Sequence, residues 1–352
     1  MNFRFLDSHS IESFESTLLP AFAASRVIDI EIPDLDIETC RSLSSLPADK
    51  AVRIRLKKAT LEGFMDYDNE IVERLRFISE HAELESLHLN PSGTPGAGLL
   101  DMYRLPIVSG LRAVRMPAIK TLVLDGYAWT HSRLEFARMW DWSHLTQLTV
   151  RKSRLVGFLR SIRIEDFVNL QILQVDSEWN TEVHEHEDTE RLLCQLISTA
   201  RSLRVCAIHH VSTEDMDSRL EALQKHAETL TEFALEKWHQ TILFGIDMQM
   251  VDLLCNTFHK ITDVTTNVEL ETVYGKPIGW NSTTIGDWCQ ALGRHRNLRR
   301  LTLYAWVTRY RTMAEYKKKR LSGKAREIKA TLVTHKQGVP FEQITFVGVQ
   351  PA

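Results

Sequence analysis

The apolar positions of this chain form a phrase, L-x-x-L-x-L or V, that returns at intervals of tens of residues. Leu145-Thr-Gln-Leu-Thr-Val150 and Leu170-Gln-Ile-Leu-Gln-Val175 end 25 positions apart. Further copies run Leu84 to Leu89, Ile119 to Leu124, Leu203 to Ile208, Leu230 to Leu235 and Leu298 to Leu303. Weaker ones are Val27 to Ile30, Val52 to Leu56, Ile261 to Val264 and Phe341 to Phe346. Alternation of apolar and polar residues predicts a strand at each copy.

Between the phrases the period changes from two to nearly four. Ile71, Leu75 and Ile78 share one helical face, and the segments Thr189 to Ser198 and Ser218 to His226 repeat that spacing. Strand, loop, amphipathic helix and loop then make one unit, whose helix buries its apolar face against a parallel sheet. Self-similarity of this kind predicts an α/β fold, a leucine-rich-repeat-like solenoid of about eleven irregular repeats. Its parallel sheet is expected on the concave face and its helices on the convex face. The whole chain, 1–352, reads as a single domain. Residues 1–26 form an N-terminal cap with a helix over 10–24, and 27–349 carry the repeats. A basic helix spans 309–330 before the last strand. Pro91 to Gly98 and the acidic run Thr181 to Asp188 are expected to be loops.

These degenerate phrases and their uneven spacing resemble the leucine-rich-repeat region of fungal F-box-type proteins, over roughly residues 27 to 349. The resemblance implies a repeat fold, and for that family a ligase-adaptor role resting on an amino-terminal F-box. Repeat-like strands begin here at Val27, so an F-box is expected to be lacking.

Composition narrows the class. The hydrophobic fraction is 43% and the charged fraction 25%, values of a cored globular chain. A net charge of -3 favours neither nucleic acid nor an acidic membrane as partner, and no apolar run is long enough to span a bilayer. Cys40, Cys194, Cys206, Cys255 and Cys289 are odd in number and contain no C-x-x-C pair, which favours a reducing, cytoplasmic setting without disulfides or structural zinc. No cofactor motif is present: there is no phosphate-binding glycine loop, no nucleophile elbow and no H-E-x-x-H.

The chemistry to weigh lies on the strands. The residue just after each phrase, or three past it in the case of Val264, gives a polar row: Asn90, Asp125, Arg151, Asp176, His209, Glu236, Asn267 and Tyr304. Two positions earlier lies a quieter row: His88, Val123, Thr149, Gln174, Ala207, Ala234, Thr265 and Thr302. A polar row of this kind is either the solvated side of a sheet or a ligand-holding ladder, in which Asp176 and Glu236 flank His209 and Arg151 balances Asp125 and Asp176. Trp129, Trp179, Trp238 and Trp306 follow strand phrases by three to five residues; they either line the mouth of a pocket or fill loop-side core. Trp140, Trp142 and Trp288 fall in helix-like segments and are expected in the core. His184-Glu-His186 has two imidazoles but no third ligand, and reads as part of the solvated loop.

The segment Arg309 to Lys329 holds nine Lys or Arg against Glu315 and Glu327, a local charge of +7 that leaves -10 elsewhere. It reads first as an exposed helix.

Two functions follow. The first is a non-catalytic recognition module that binds a protein partner through the concave sheet and the tryptophan edge, using His88, Asp125, Arg151, Asp176, His209, Glu236, Trp129, Trp179, Trp238 and Trp306. The second is an enzyme that holds a largely apolar small molecule and promotes a cyclisation or isomerisation, in which His209, Asp176, Glu236 and Tyr304 orient or polarise the substrate.

Overall fold

Each L-x-x-L-x-L phrase delivers a strand because its last two apolar residues alternate with polar ones, which sends the two sets to opposite faces. The computed structural model describes residues 2–4, 29–31, 58–62, 79, 84–90, 115–126, 133, 140–153, 155–176, 183–209, 216–236, 248–271, 285–307 and 314–349. The chain divides into two compact units, residues 1–170 and 171–352.

In the first unit, β1 (Asn2–Arg4) pairs in parallel with β2 (Asp29–Glu31) as a sheet of their own. The phrase at Val27 to Ile30 therefore builds a separate ribbon rather than the first strand of the main sheet. β3 (Lys58–Glu62), β4 (Ser86–Asn90), β5 (Thr121–Asp125) and β6 (Gln147–Arg151) lie side by side, all parallel. The strand predicted at Val52 to Leu56 lies outside the described residues, and β3 follows it. Pro91 to Gly98 and the helix over 10–24 also lie outside them. α1 (Leu155–Ser161) and a 3-10 turn (Ile164–Phe167) close this unit. They bring Phe158 and Phe167 against Trp142, with ring centroids 6.4 Å and 5.5 Å from it. Trp140 stacks on Trp142 at 5.0 Å. Trp142 is buried as its apolar surroundings demand, whereas Trp140 is only half-buried.

The second unit alternates strand and helix: β7 (Ile172–Asp176), α2 (Val183–Thr199), β8 (Val205–His209), α3 (Met216–Gln224), β9 (Glu232–Glu236), α4 (Met248–Thr257), β10 (Asp263–Glu271), α5 (Ile285–Arg294), β11 (Arg300–Val307), α6 (Ala314–His335) and β12 (Gln343–Val349). The six strands are parallel and stand in chain order. This is parallel α/β architecture, as the period change predicts. α2 packs beside α3, and α5 lies between α4 and α6. Leu193, Leu196 and Ile197 of α2, Leu220 and Leu223 of α3, Met250, Val251 and Leu254 of α4, Trp288 and Leu292 of α5, and Ile328 and Leu332 of α6 are all buried.

One prediction needs correcting. The acidic run to Asp188 is not a loop, because α2 begins at Val183 and takes in His184 and His186. Positions two apart on an α-helix differ by about 200° in direction, so they cannot share a face, and the paired-ligand reading fails on geometry. The weak phrase at Ile261 to Val264 does carry a strand: Asp263 and Val264 open β10, which at nine residues is the longest among those described.

One contact repeats at the head of almost every strand. The carbonyl of Glu85 accepts from the amides of Lys120 and Thr121, and that of Lys120 accepts from Thr146 and Gln147. In the second unit Gln171, Arg204, Thr231, Thr262 and Arg299 accept in the same paired fashion from the next strand. Side chains add to it. The Thr146 hydroxyl donates to the Lys120 carbonyl at 3.1 Å, Asn169 Nδ2 to Ser143 at 2.6 Å and Asn297 Nδ2 to His259 at 2.6 Å. These bonds fix register, and with it the face on which each side chain emerges.

Candidate functional site: the outward rows of the second unit

Leu173 and Val175, Cys206 and Ile208, Phe233 and Leu235, Val264 and Thr266, and Leu301 and Leu303 are buried on the helix side of their strands. Their burial sends the alternate residues to the opposite face. Pairing then aligns those residues into rows. Gln174 stands opposite Ala207, Ala207 opposite Ala234, Ala234 opposite Thr265, Thr265 opposite Thr302 and Thr302 opposite Thr345. In the next row Asp176 faces His209 and His209 faces Glu236, while Asn267 faces Tyr304. A third row pairs Glu269 with Trp306. The predicted polar row and its floor are thus in register across the second unit.

Trp306 lies inside β11, on the same strand parity as Thr302 and Tyr304, not in a loop beyond the strand. Trp129, Trp179 and Trp238 lie outside the described residues. In the first unit His88 faces Val123, Val123 faces Thr149, and Asp125 faces Arg151, so the expected pairing of opposite charges has its register there. Arg151 is exposed, while His88, Asp125, Asp176, His209 and Tyr304 are half-buried.

The rows are less uniformly solvated than the sequence predicts. Thr149, Ala207 and Asn267 are buried although they emerge on the outward face. Small side chains on strands about 4.8 Å apart are screened by longer neighbours on either side. Asp176, His209 and Glu236 occupy three adjacent strands, so a carboxylate position stands on each side of the imidazole. Tyr304 lies three strands beyond His209, roughly 14 Å away by strand spacing. By register these four residues stand on β7, β8, β9 and β11.

Titratable groups away from the rows are tied into the fold. His226 and His295 each accept a backbone amide at Nδ1, from Leu203 at 3.3 Å and Leu298 at 3.1 Å. Each donates from Nε2 to a carbonyl, Ile197 at 2.8 Å and Phe258 at 3.0 Å. Burial pushes both imidazoles below their ordinary pKa, against the opposing effect of the donated bond. Burial also raises the thiols, Cys206 and Cys289 to about 12 and Cys255 to about 11. Such thiols are inert as nucleophiles at neutral pH. Among the described residues, no group of three or more His, Cys, Asp or Glu is placed to hold a metal ion.

Arg219 and Glu190 were not singled out by pattern. Arg219 is wholly buried between helices and donates from Nε to Glu190 Oε1 at 2.8 Å and from Nη2 to Oε2. The signal was there: Glu190 precedes Leu193, Cys194 and Ile197, and Arg219 precedes Ala222, Leu223 and His226, both at i+3, i+4 and i+7. A charged residue on each apolar stripe marks a buried pair. Among the described residues, no helix is long and apolar enough to cross a membrane. No protein-family model matches the chain, and no curated protein is found to resemble it.

Proposed function

We propose that this protein is a non-catalytic recognition module, a leucine-rich-repeat-like solenoid of about eleven repeats in one domain. It acts in the cytoplasm and binds a protein partner through the outward face of its parallel sheet. The observation that carries the reading is the composition of the aligned rows in the second unit. Gln174, Ala207, Ala234, Thr265 and Thr302 make a small floor; Asp176, His209, Glu236, Asn267 and Tyr304 stand beside it, with Glu269 and Trp306 beyond. Three carboxylate positions and two aromatic ones occur in these rows, and the nearest cation on the same face, Arg300, is paired with Asp263. Such a surface complements a partner that presents basic side chains, with Tyr304 and Trp306 as anchors. Polar groups spread over several strands suit an extended contact better than one reacting centre.

The test is cross-linking of the purified chain in extracts of its native host, with cross-linked peptides mapped by mass spectrometry. Cross-links from a basic segment of one protein to strands β7 to β11 are expected. They should disappear when Asp176→Lys and Glu236→Lys are combined in a chain whose circular dichroism is unchanged. A specific partner held equally well by that variant would sink the proposal.

A further inference from the structure

β12 ends the strand order of the second unit, and no described residue pairs with its outer side. The direction of its free backbone groups follows from the paired bond at its head. The amide of Gln343 donates to Arg299 at 3.2 Å, toward β11. Because residues along a strand present their N–H and C=O groups to alternate sides, Thr345, Val347 and Val349 also turn toward β11. Ile344, Phe346 and Gly348 therefore present amide and carbonyl to the open edge.

Natural sheets guard such an edge with charge, proline, a bulge or a short strand. Gln343–Val349 uses none of these. It is seven residues long, has no charged residue and no proline, and runs against β11 residue for residue without a bulge. Its core-facing side chains are incompletely covered as well. Ile344 and Phe346 are half-exposed, whereas Leu301 and Leu303, their register partners on β11, are fully buried. α6, the helix that leads into β12, carries Val333, which at 55% is the one large apolar side chain exposed among the described residues. Among the described residues nothing pairs with these backbone groups, and a further strand would satisfy their donors and acceptors together.

We infer that the outer edge of β12 is a self-association site, taking β12 of a second copy of this chain in antiparallel pairing. The sequence is suited to its own reverse. A two-fold axis through Phe346 sets Ile344 against Gly348, and the three outward-bonding residues of one copy meet the same three of the other. On the outward face Thr345 then stands opposite Val347. No like charges oppose one another anywhere along Gln343–Val349, which removes the repulsion that normally keeps identical edges apart. The half-covered Ile344 and Phe346 lose water in the same step. The contact uses the edge of the sheet and leaves its outward rows free, so the inference stands apart from the function proposed above.

The experiment is sedimentation velocity over a concentration series of the full chain. The wild-type protein is expected to shift from the mass of one chain, 40.6 kDa, to twice that mass as concentration rises. Thr345→Lys combined with Val347→Lys sets ammonium groups opposite one another and should hold the protein at the single-chain mass. Thr345→Glu with Val347→Glu should do the same, and an equimolar mixture of the two variants should recover the doubled mass. Hydrogen exchange of the wild-type chain checks the edge without substitution: the amides of Ile344, Phe346 and Gly348 should gain protection with concentration. A wild-type protein that stays at the single-chain mass up to its solubility limit overturns the inference. So does a dimer that neither charge pair disturbs, or one whose exchange at these amides is independent of concentration.

Discussion

Arg219 meets Glu190 through two parallel hydrogen bonds, with both side chains sealed from water between α2 and α3. Cys194 also lies against the carboxylate, its sulfur 3.4 Å from Glu190 Oε1. A paired charge of this kind adds little net stability, but a lone one is expensive because its partner stays buried without compensation. Arg219→Ala should therefore destabilise the protein by about 3–5 kcal/mol, read as a lower denaturant midpoint. Arg219→Met with Glu190→Leu, which removes both charges, should recover most of the loss. A double variant as unstable as the single one would show that the pair itself supplies the stability.

Stability should fall on the acid side of neutrality through His226 and His295. Each Nδ1 accepts an amide hydrogen, so protonation there breaks that bond and charges a buried ring. The ammonium groups beside them, Lys225 near His226 and Lys336 near His295, oppose protonation further. The native-state values lie below the ordinary 6.5, so the unfolded chain takes up protons first. The stabilising contribution is then complete above about pH 6.5 and is lost as pH falls through the lower native values. Urea midpoints measured between pH 8 and pH 5 should decline toward acid, and His226→Gln with His295→Gln should flatten that decline.

Trp142 is the centre of the aromatic cluster in the first unit, nearly parallel to Trp140 and Phe167 and edge-on to Phe158. Replacing it with alanine empties the space between those rings. Trp142→Ala should cost about 3–5 kcal/mol, whereas Trp142→Phe should cost much less, both read by thermal denaturation. Equal losses would mean that ring volume is not what holds the cluster.

Gly338 turns the chain between α6 and β12 with φ +71°, and a Cβ added there would lie 2.6 Å from the Arg296 carbonyl oxygen. Beside it, Lys336 Nζ donates to the carbonyls of His295 at 2.6 Å and Gln337 at 2.7 Å. Gly338→Ala should lower stability by about 1–3 kcal/mol from the strained backbone alone, with further loss from the close approach. Native-state hydrogen exchange should show the loss concentrated in β12, whose register depends on that turn.

Thiol labelling separates the cysteines by burial. Cys206 and Cys289 should resist alkylation in the native state, being fully enclosed and raised to about 12. Cys194 and Cys255, both half-buried, should label ahead of them. Peptide mapping after a short pulse of iodoacetamide reads the order directly, and prompt labelling of Cys206 would contradict its burial.

Strand positions were legible because burial on one face imposes a period of two, and the phrase ending at Val175 or Ile208 needs no partner to be recognised. The outward rows followed from the same arithmetic, since Asp176, His209 and Glu236 each sit one residue past a phrase. The start of α2 was not legible: an acidic run reads as solvated, yet Glu187 and Asp188 are as compatible with a helix's first turns as with a loop. The place of Trp306 was missed for a related reason, because β11 runs on past the end of its phrase.

By itself, then, the sequence determined which residues lie in strands and which face each one takes, because the chemistry of alternation is local. Only the tertiary structure decided what stands next to what. The meeting of Glu190 with Arg219, the bonds from His226 to Ile197 and from His295 to Phe258, the strands that separate His209 from Tyr304 and the place of β12 at the end of the strand order depend on residues far apart in the chain. Spacing along one segment carries no information about such neighbours; pairing and packing supply it.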